Sequence, residues 1–238
     1  MGFLLSNDLK LQVREVSYLN PLKNGLIVSC QVPDDTPINT PEFIAAQALT
    51  VIQAGAFGIR AQGIANVTAI SQVTKLPIIG LVKRYADSSP VYITPLIEDV
   101  LALEQAGAQI IAVDATERLR PGGINFSEFM KQLRAQTNVQ ILADIDSVEA
   151  ALTAQDLGCD AVATTLSGYT DLPVAGLPNI KLIEQLSTRV SVPIIAEGGF
   201  NQTESVKAAF EAGAWSVCIG TAITNPFLLT KHFLTAIN

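Results

Sequence analysis

Residues 192–220 read VPIIAEGGFNQTESVKAAFEAGAWSVCIG. A short apolar run, VPIIAE (192–197), leads into paired glycines and a polar turn, then into a segment of helical periodicity, then into a second apolar run, SVCIG (216–220). Runs that are apolar throughout, without alternation, belong to strands covered on both faces, as in a parallel sheet. Thr203 opens Thr-Glu-Ser-Val and reads as a capped helix start. Glu-Ala-Gly-Ala (211–214) closes the helix, with Gly213 supplying the positive φ of a C′ position. This stretch is one βα unit and the strand that follows it.

The same grammar extends back through the chain. GLIVSC (25–30), AFGIRA (56–61), PIIGLVK (77–83), AQIIAVD (108–114), VQILAD (139–144) and DAVATT (160–165) bring the runs to eight, starting about 20 to 30 residues apart. Thr40 before Pro41 and Glu42, and Ser147 before Val-Glu-Ala, are N-cap signals. Gly55, Gly107 and Gly158 repeat the closing glycine. Eight parallel strands with connecting helices predict a single-domain (β/α)8 TIM barrel, and 238 residues suit the roughly 250 of that fold. No G-x-G-x-x-G follows the first strand, which disfavours an open dinucleotide-binding sheet. Residues 1–20 are expected to form an extension or short helix before the barrel of 21–238, and a last helix from about 225 should close the barrel from outside.

Hydrophobic residues make up 49% and charged residues 16%, enough for a large core. A net charge of −7 argues against nucleic acid, which needs a basic face. Cys30, Cys159 and Cys218 lack metal-ligand spacing and lie among apolar or small residues, so buried free thiols are expected. No signal-peptide core or membrane-length apolar run occurs, and a cytoplasmic protein without membrane contact is expected. His232, the single histidine, lies in the final helix and reads as peripheral. A histidine triad or metal site is therefore not expected, and no metal is assigned.

Active sites of this fold form at the C-terminal ends of the strands. Those ends carry Gln31, Arg60, Lys83, Asp114, Asp144, Thr164 with Thr165, Glu197, and Gly220 with Thr221. Lys83 and Glu197 end strands three and seven, four strands apart, and should face each other across the barrel mouth. Two opposed titratable groups are what proton abstraction on one face of a carbon and redelivery on the other require, and a partly desolvated lysine can serve as a base. Without a substrate, Lys83 could equally be a solvated lysine and Glu197 a structural ion pair. Gly198 and Gly199 after strand seven, with Gly220 and Thr221 after strand eight, match the phosphate site common in this fold. The loop PDDTPINTP (33–41) is long enough to fold over a substrate, and Arg118 and Arg120 are either solvated or phosphate contacts.

GLIVSCQ, GIRAQG, PIIGLVKR, IIAVDAT with R-x-x-P-G-G, LADIDS, TTLSGYT, PIIAEGG and IGTAIT together resemble the N-acetylmannosamine-6-phosphate 2-epimerase family over roughly residues 20 to 235. The resemblance implies an isomerase of amino-sugar metabolism and sialic acid degradation. Such an enzyme interconverts N-acetylmannosamine 6-phosphate and N-acetylglucosamine 6-phosphate at C2 without a cofactor. It assigns Lys83 and Glu197 as catalytic, and Gln31, Arg60, Asp144 and Tyr169 as substrate-binding, with Asp144 orienting the sugar and Arg60 stabilising the oxyanion. The small-molecule partner is a sugar phosphate, and a homodimer is expected because barrels of this kind commonly pair. Asn225 stands where the family pattern carries a phosphate-contacting arginine. That loss is worth about 1.5 to 3 kcal/mol unless Arg84, Arg118 or Arg120 compensates. Weaker phosphate binding or a preference for another amino sugar are the other outcomes. A Schiff-base lyase or aldolase using Lys83, and a non-catalytic sugar-phosphate binder, are the competing readings.

Overall fold

The computed structural model describes residues 17–237. Eight parallel strands close into a barrel in chain order: β1 (Leu26–Cys30), β2 (Gly58–Gln62), β3 (Ile78–Leu81), β4 (Ile110–Asp114), β5 (Gln140–Asp144), β6 (Ala161–Ala163), β7 (Ile194–Glu197) and β8 (Ser216–Ile219). β8 returns to β1 with Ile27 opposite Cys218. All eight apolar runs are strands, in the single (β/α)8 barrel that their periodicity predicts. Most of the expected extension, residues 1–16, lies outside the described residues. The rest of it ends in a 3-10 turn, Asn20–Leu22, and Leu19 and Leu22 are buried against the barrel interior.

The helices are α1 (Pro41–Gln53), α2 (Ile64–Val73), α3 (Ile97–Gln105), α4 (Phe126–Arg134), α5 (Val148–Asp156), α6 (Ile180–Ser187), α7 (Thr203–Glu211), α8 (Thr221–Thr224) and α9 (Pro226–Leu234). Thr40 caps α1 by accepting from the Phe43 N–H at 3.2 Å, and Ser147 caps α5 through the Ala150 N–H. Thr203 is not a cap: it is the first residue of α7, whose N-cap is Gln202, and its hydroxyl bonds Glu204. Gly55, Gly107, Gly158 and Gly213 all hold positive φ, at 104°, 101°, 79° and 102°. The last helix, α9, lies where a final helix from about 225 is expected, and it buries none of its residues.

Side chains alternate across each strand, so one parity points into the barrel and the other toward the helices. Ile27, Ile79, Leu81, Ile110, Ala112, Leu142, Ala161, Ala163, Ile195 and Cys218 pack the inner core. Val28, Ile59, Ile78, Ile111, Val113, Ile141, Val162 and Val217 pack beneath the helices. Continuing the inward parity to the strand ends reaches Gln31, Arg60, Lys83, Asp114, Asp144, Thr165, Glu197 and Gly220. An apolar plug below therefore forces the polar inward residues into one layer at the C-terminal rim. Trp215 packs at the opposite rim, where its Nε1–H donates to the Leu19 carbonyl at 2.9 Å and Lys23 lies over its ring.

Candidate active site

The rim opens into a cavity of about 950 Å³ lined by Gln31, Arg60, Lys83, Thr165, Tyr169, Glu197 to Gln202, Gly220 to Ala222 and Asn225. Beneath it lies a buried ion cluster. Arg60, 2% exposed, donates to Asp144 Oδ1 at 3.0 Å and Oδ2 at 2.7 Å, and its Nη1 lies 2.9 Å from Glu197 Oε2. Thr165 Oγ1 bonds Asp144 Oδ1 at 2.7 Å and reaches Glu197 Oε2 at 3.2 Å. The fork of Arg60 thus fixes two carboxylates from strands five and seven. Burial lowers the Arg60 pKa, but the two anions outweigh it and the net shift is upward.

Asp144 is 0% exposed, and both its oxygens serve Arg60 or Thr165. It is not among the residues that line the cavity, and its contacts here are with Arg60 and Thr165, which set its position beneath the floor. Arg60 lines the floor, with its Nη groups engaged by carboxylates. Asp114 is also withdrawn: Thr116 and Arg118 bond its two oxygens.

Lys83 lies past the end of β3, which stops at Leu81. The chain there doubles back, with Lys83 in antiparallel register with Ile93 and the Arg84 N–H donating to the Tyr92 carbonyl. Thr94, fully buried at φ 43°, clamps this hairpin by donating its N–H to the Val82 carbonyl and accepting the Val82 N–H at its hydroxyl. Burial lowers the Lys83 pKa, the charge of Arg60 lowers it further, and Glu197, Asp34 and Asp144 oppose both. Burial raises the Glu197 pKa above the usual carboxylate range, against the pull of Arg60. The two shifts run toward each other from opposite ends of the scale, the direction that a pair exchanging a proton with substrate requires.

The loop of residues 33–41 reaches this mouth, since Asp34 lines the cavity and accepts from Gln62 Nε2 at 3.3 Å. Gln31 donates to Ser29 Oγ at 2.7 Å, while its buried Oε1 has no partner among the described residues. Gly198 and Gly199 hold φ of 106° and 78°, and a Cβ on Gly199 would come within 2.4 Å of Leu177 Cβ. No protein acceptor takes the N–H of Gly198, Gly199, Gly220 or Thr221 among the described residues.

The family model described as "Putative N-acetylmannosamine-6-phosphate epimerase" matches residues 44–238. The chain belongs to the N-acetylmannosamine-6-phosphate epimerase family. Its relatives include a protein of Caldanaerobacter subterraneus, 40% identical over 225 residues, covering 94% of this chain and 95% of that one. A Clostridium perfringens relative is 42% identical over 218 residues, covering 90% and 97%. The solved N-acetylmannosamine-6-phosphate 2-epimerase from Clostridium perfringens superimposes with a TM-score of 0.87 at 39% identity, covering 94% of this chain and 98% of that one. Thiamine phosphate pyrophosphorylase from Pyrococcus furiosus, at 16% identity and a TM-score of 0.59, shares the fold.

In this member of the epimerase family, none of the three arginines weighed as a replacement for a cation at position 225 lines the cavity. Arg84 pairs with Asp99 at 2.6 Å, and Arg118 with Asp114 at 2.6 Å. Arg120 is buried, its guanidinium 4.1 Å from the Phe129 ring and bonded to the Asp114 carbonyl. His232 is exposed on α9, as a peripheral residue would be, and it also borders the outer part of the cavity, as do Leu228, Leu229 and Phe233. Helical spacing from Asn225 is the signal that finds it. Tyr92 lines the cavity as well, its hydroxyl pKa pushed up to about 12 chiefly by burial, with Tyr85 stacked on it at 5.3 Å. Neither tyrosine stands out in sequence, because both lie in a hairpin after β3 that apolar periodicity does not reveal. Among the described residues no group of His, Cys, Asp or Glu is arranged to hold a metal, and no helix is long and apolar enough to cross a membrane.

Proposed function

We propose that the protein epimerises N-acetylmannosamine 6-phosphate and N-acetylglucosamine 6-phosphate at C2, with Lys83 and Glu197 as the catalytic pair. The observation that carries this reading is that the two groups, from opposite sides of the barrel, line one cavity with their protonation equilibria drawn together. In the open-chain sugar the C2 hydrogen is adjacent to the C1 aldehyde. Removing it sends the electron pair into the carbonyl and gives an enolate that keeps the acetamido group on C2, and a proton returned to the other face of C2 completes inversion. One of the pair abstracts and the other redelivers, with the roles exchanged in the reverse direction.

Arg60 serves this chemistry by holding Glu197 in one orientation and lending positive potential to the floor, where anionic charge develops. The free Oε1 of Gln31 is placed to accept from a substrate N–H or O–H, and Tyr169 flanks the same space. The unpaired N–H groups of Gly198, Gly199, Gly220 and Thr221 form the anchor for the phosphate oxygens. Exposed Phe227, Leu228, Phe233 and Ile237 near the C-terminus offer an apolar surface in keeping with a homodimer, which sedimentation would test. A cytoplasmic location is part of the same proposal.

Proton NMR of N-acetylmannosamine 6-phosphate with enzyme in deuterium oxide tests the reaction. Deuterium is expected at C2 of the product, and Lys83→Ala or Glu197→Ala should each reduce exchange by at least about a hundredfold. Full exchange in both variants would refute the assignment. Borohydride trapping of substrate on Lys83 would instead favour a Schiff-base lyase.

A further inference from the structure

A phosphate dianion calls for a strong donor, and one end of the cavity is short of cations. The basic side chains lining it, among the described residues, are Arg60, Lys83 and His232. Arg60 is held by Asp144 and Glu197, and Lys83 stands at the reacting end. The β7 and β8 loops bring Gly198 to Gln202 and Gly220 to Ala222, none of them charged. Asn225 is 7% exposed, and its Oδ1 is used in capping α9, where it accepts from the Leu228 N–H at 3.0 Å.

From that cap, Asn225, Leu228, Leu229 and His232 follow the i, i+3, i+4, i+7 spacing of a single helical face, and all four line the cavity. His232 lies about 10 Å along the axis from Asn225 at 1.5 Å per residue. Helical side chains lean toward the N-terminus, which tilts the imidazole toward the Asn225 end of α9. The ring makes an edge contact with Phe233 at 5.5 Å and has no ion pair or hydrogen bond among the described residues. Neighbouring Lys231 is turned to the Phe227 ring at 4.4 Å and does not line the cavity. An imidazole keeps at least one N–H donor in either protonation state.

We propose that His232, exposed on α9 where it borders the cavity, is the side-chain donor to the substrate phosphate and sets the preference for phosphorylated over unphosphorylated amino sugar. This rests on the epimerase reading. The test compares KM and kcat for N-acetylmannosamine 6-phosphate and for N-acetylmannosamine in the wild type, His232→Ala and His232→Arg. His232→Ala is expected to raise KM for the phosphorylated sugar about three- to tenfold, with kcat within about twofold, as for loss of a partly exposed charge-assisted bond. The unphosphorylated sugar should be unaffected, and His232→Arg should recover the low KM. An unchanged KM ratio, or an equal loss on both sugars, would overturn the proposal. Calorimetric binding of inorganic phosphate separates it from the parent reading. If the wild type turns over neither sugar, the epimerase reading fails, while weaker phosphate binding by His232→Ala still supports the donor role and unchanged binding overturns it.

Discussion

Asp144→Asn removes one charge from the cluster at the barrel floor while keeping its shape. In the native protein Arg60 donates to both Asp144 oxygens, at 3.0 and 2.7 Å, and Asp144 is 0% exposed. Asparagine keeps one acceptor and turns an amide N–H₂ toward the other guanidinium nitrogen, so a charge-assisted bond becomes a donor–donor contact. Removing one partner of a buried ion pair costs about 3 to 5 kcal/mol. Glu197, 2.9 Å from Arg60 Nη1, remains as a counter-ion, so the lower end applies, about 3 kcal/mol. At about 2 to 4 °C per kcal/mol for a domain of this size, Tm should fall by about 6 to 12 °C. Differential scanning calorimetry reads this directly, and a double-mutant cycle with Arg60→Met should return a coupling above about 1 kcal/mol. A Tm loss under about 2 °C would show that Asp144 is not the counter-ion holding Arg60, and would return it to the role of a sugar contact.

Three further outcomes follow from the same geometry. Lys83→Met should abolish turnover yet raise Tm at neutral pH, because the fold disfavours the charged amine it contains. Between its lowered folded pKa and the ordinary lysine value near 10.5 the unfolded chain holds more protons, so wild-type stability gains on the variant as pH rises through that window, and denaturant titrations should show the gap closing. Gly199→Ala should lose at least about 2 kcal/mol, since a Cβ at φ 78° would sit 2.4 Å from Leu177 Cβ, and should weaken phosphate inhibition; urea melts check the first effect and inhibition kinetics the second. Burial pushes the Cys30 and Cys159 thiols up to about 12 and Cys218 upward as well, so a thiol reagent should label none in the native protein and all three after unfolding.

Strand and helix order could be read from the chain because a buried parallel strand must be apolar throughout and a helix end needs its glycine; both are local demands, met by runs such as VPIIAE and by Gly213. The barrel follows from eight such units, and the inward parity at each strand end already selects Arg60, Lys83 and Glu197. What each polar residue does there is decided by neighbours distant in sequence. Asp144 and Arg60 are 84 residues apart, and only barrel closure makes them partners. Arg84, Arg118 and Arg120 find Asp99, Asp114 and the α4 aromatics within fifteen residues of chain, but which local partner each takes is set by how the loops after β3 and β4 fold. The chain alone therefore determined the fold and the pair opposed across its mouth, because periodicity and parity are local properties. Tertiary structure decided which charges pair beneath the floor and which line the cavity, and it brought His232 to the cavity's border, because pairing and burial depend on how distant segments meet.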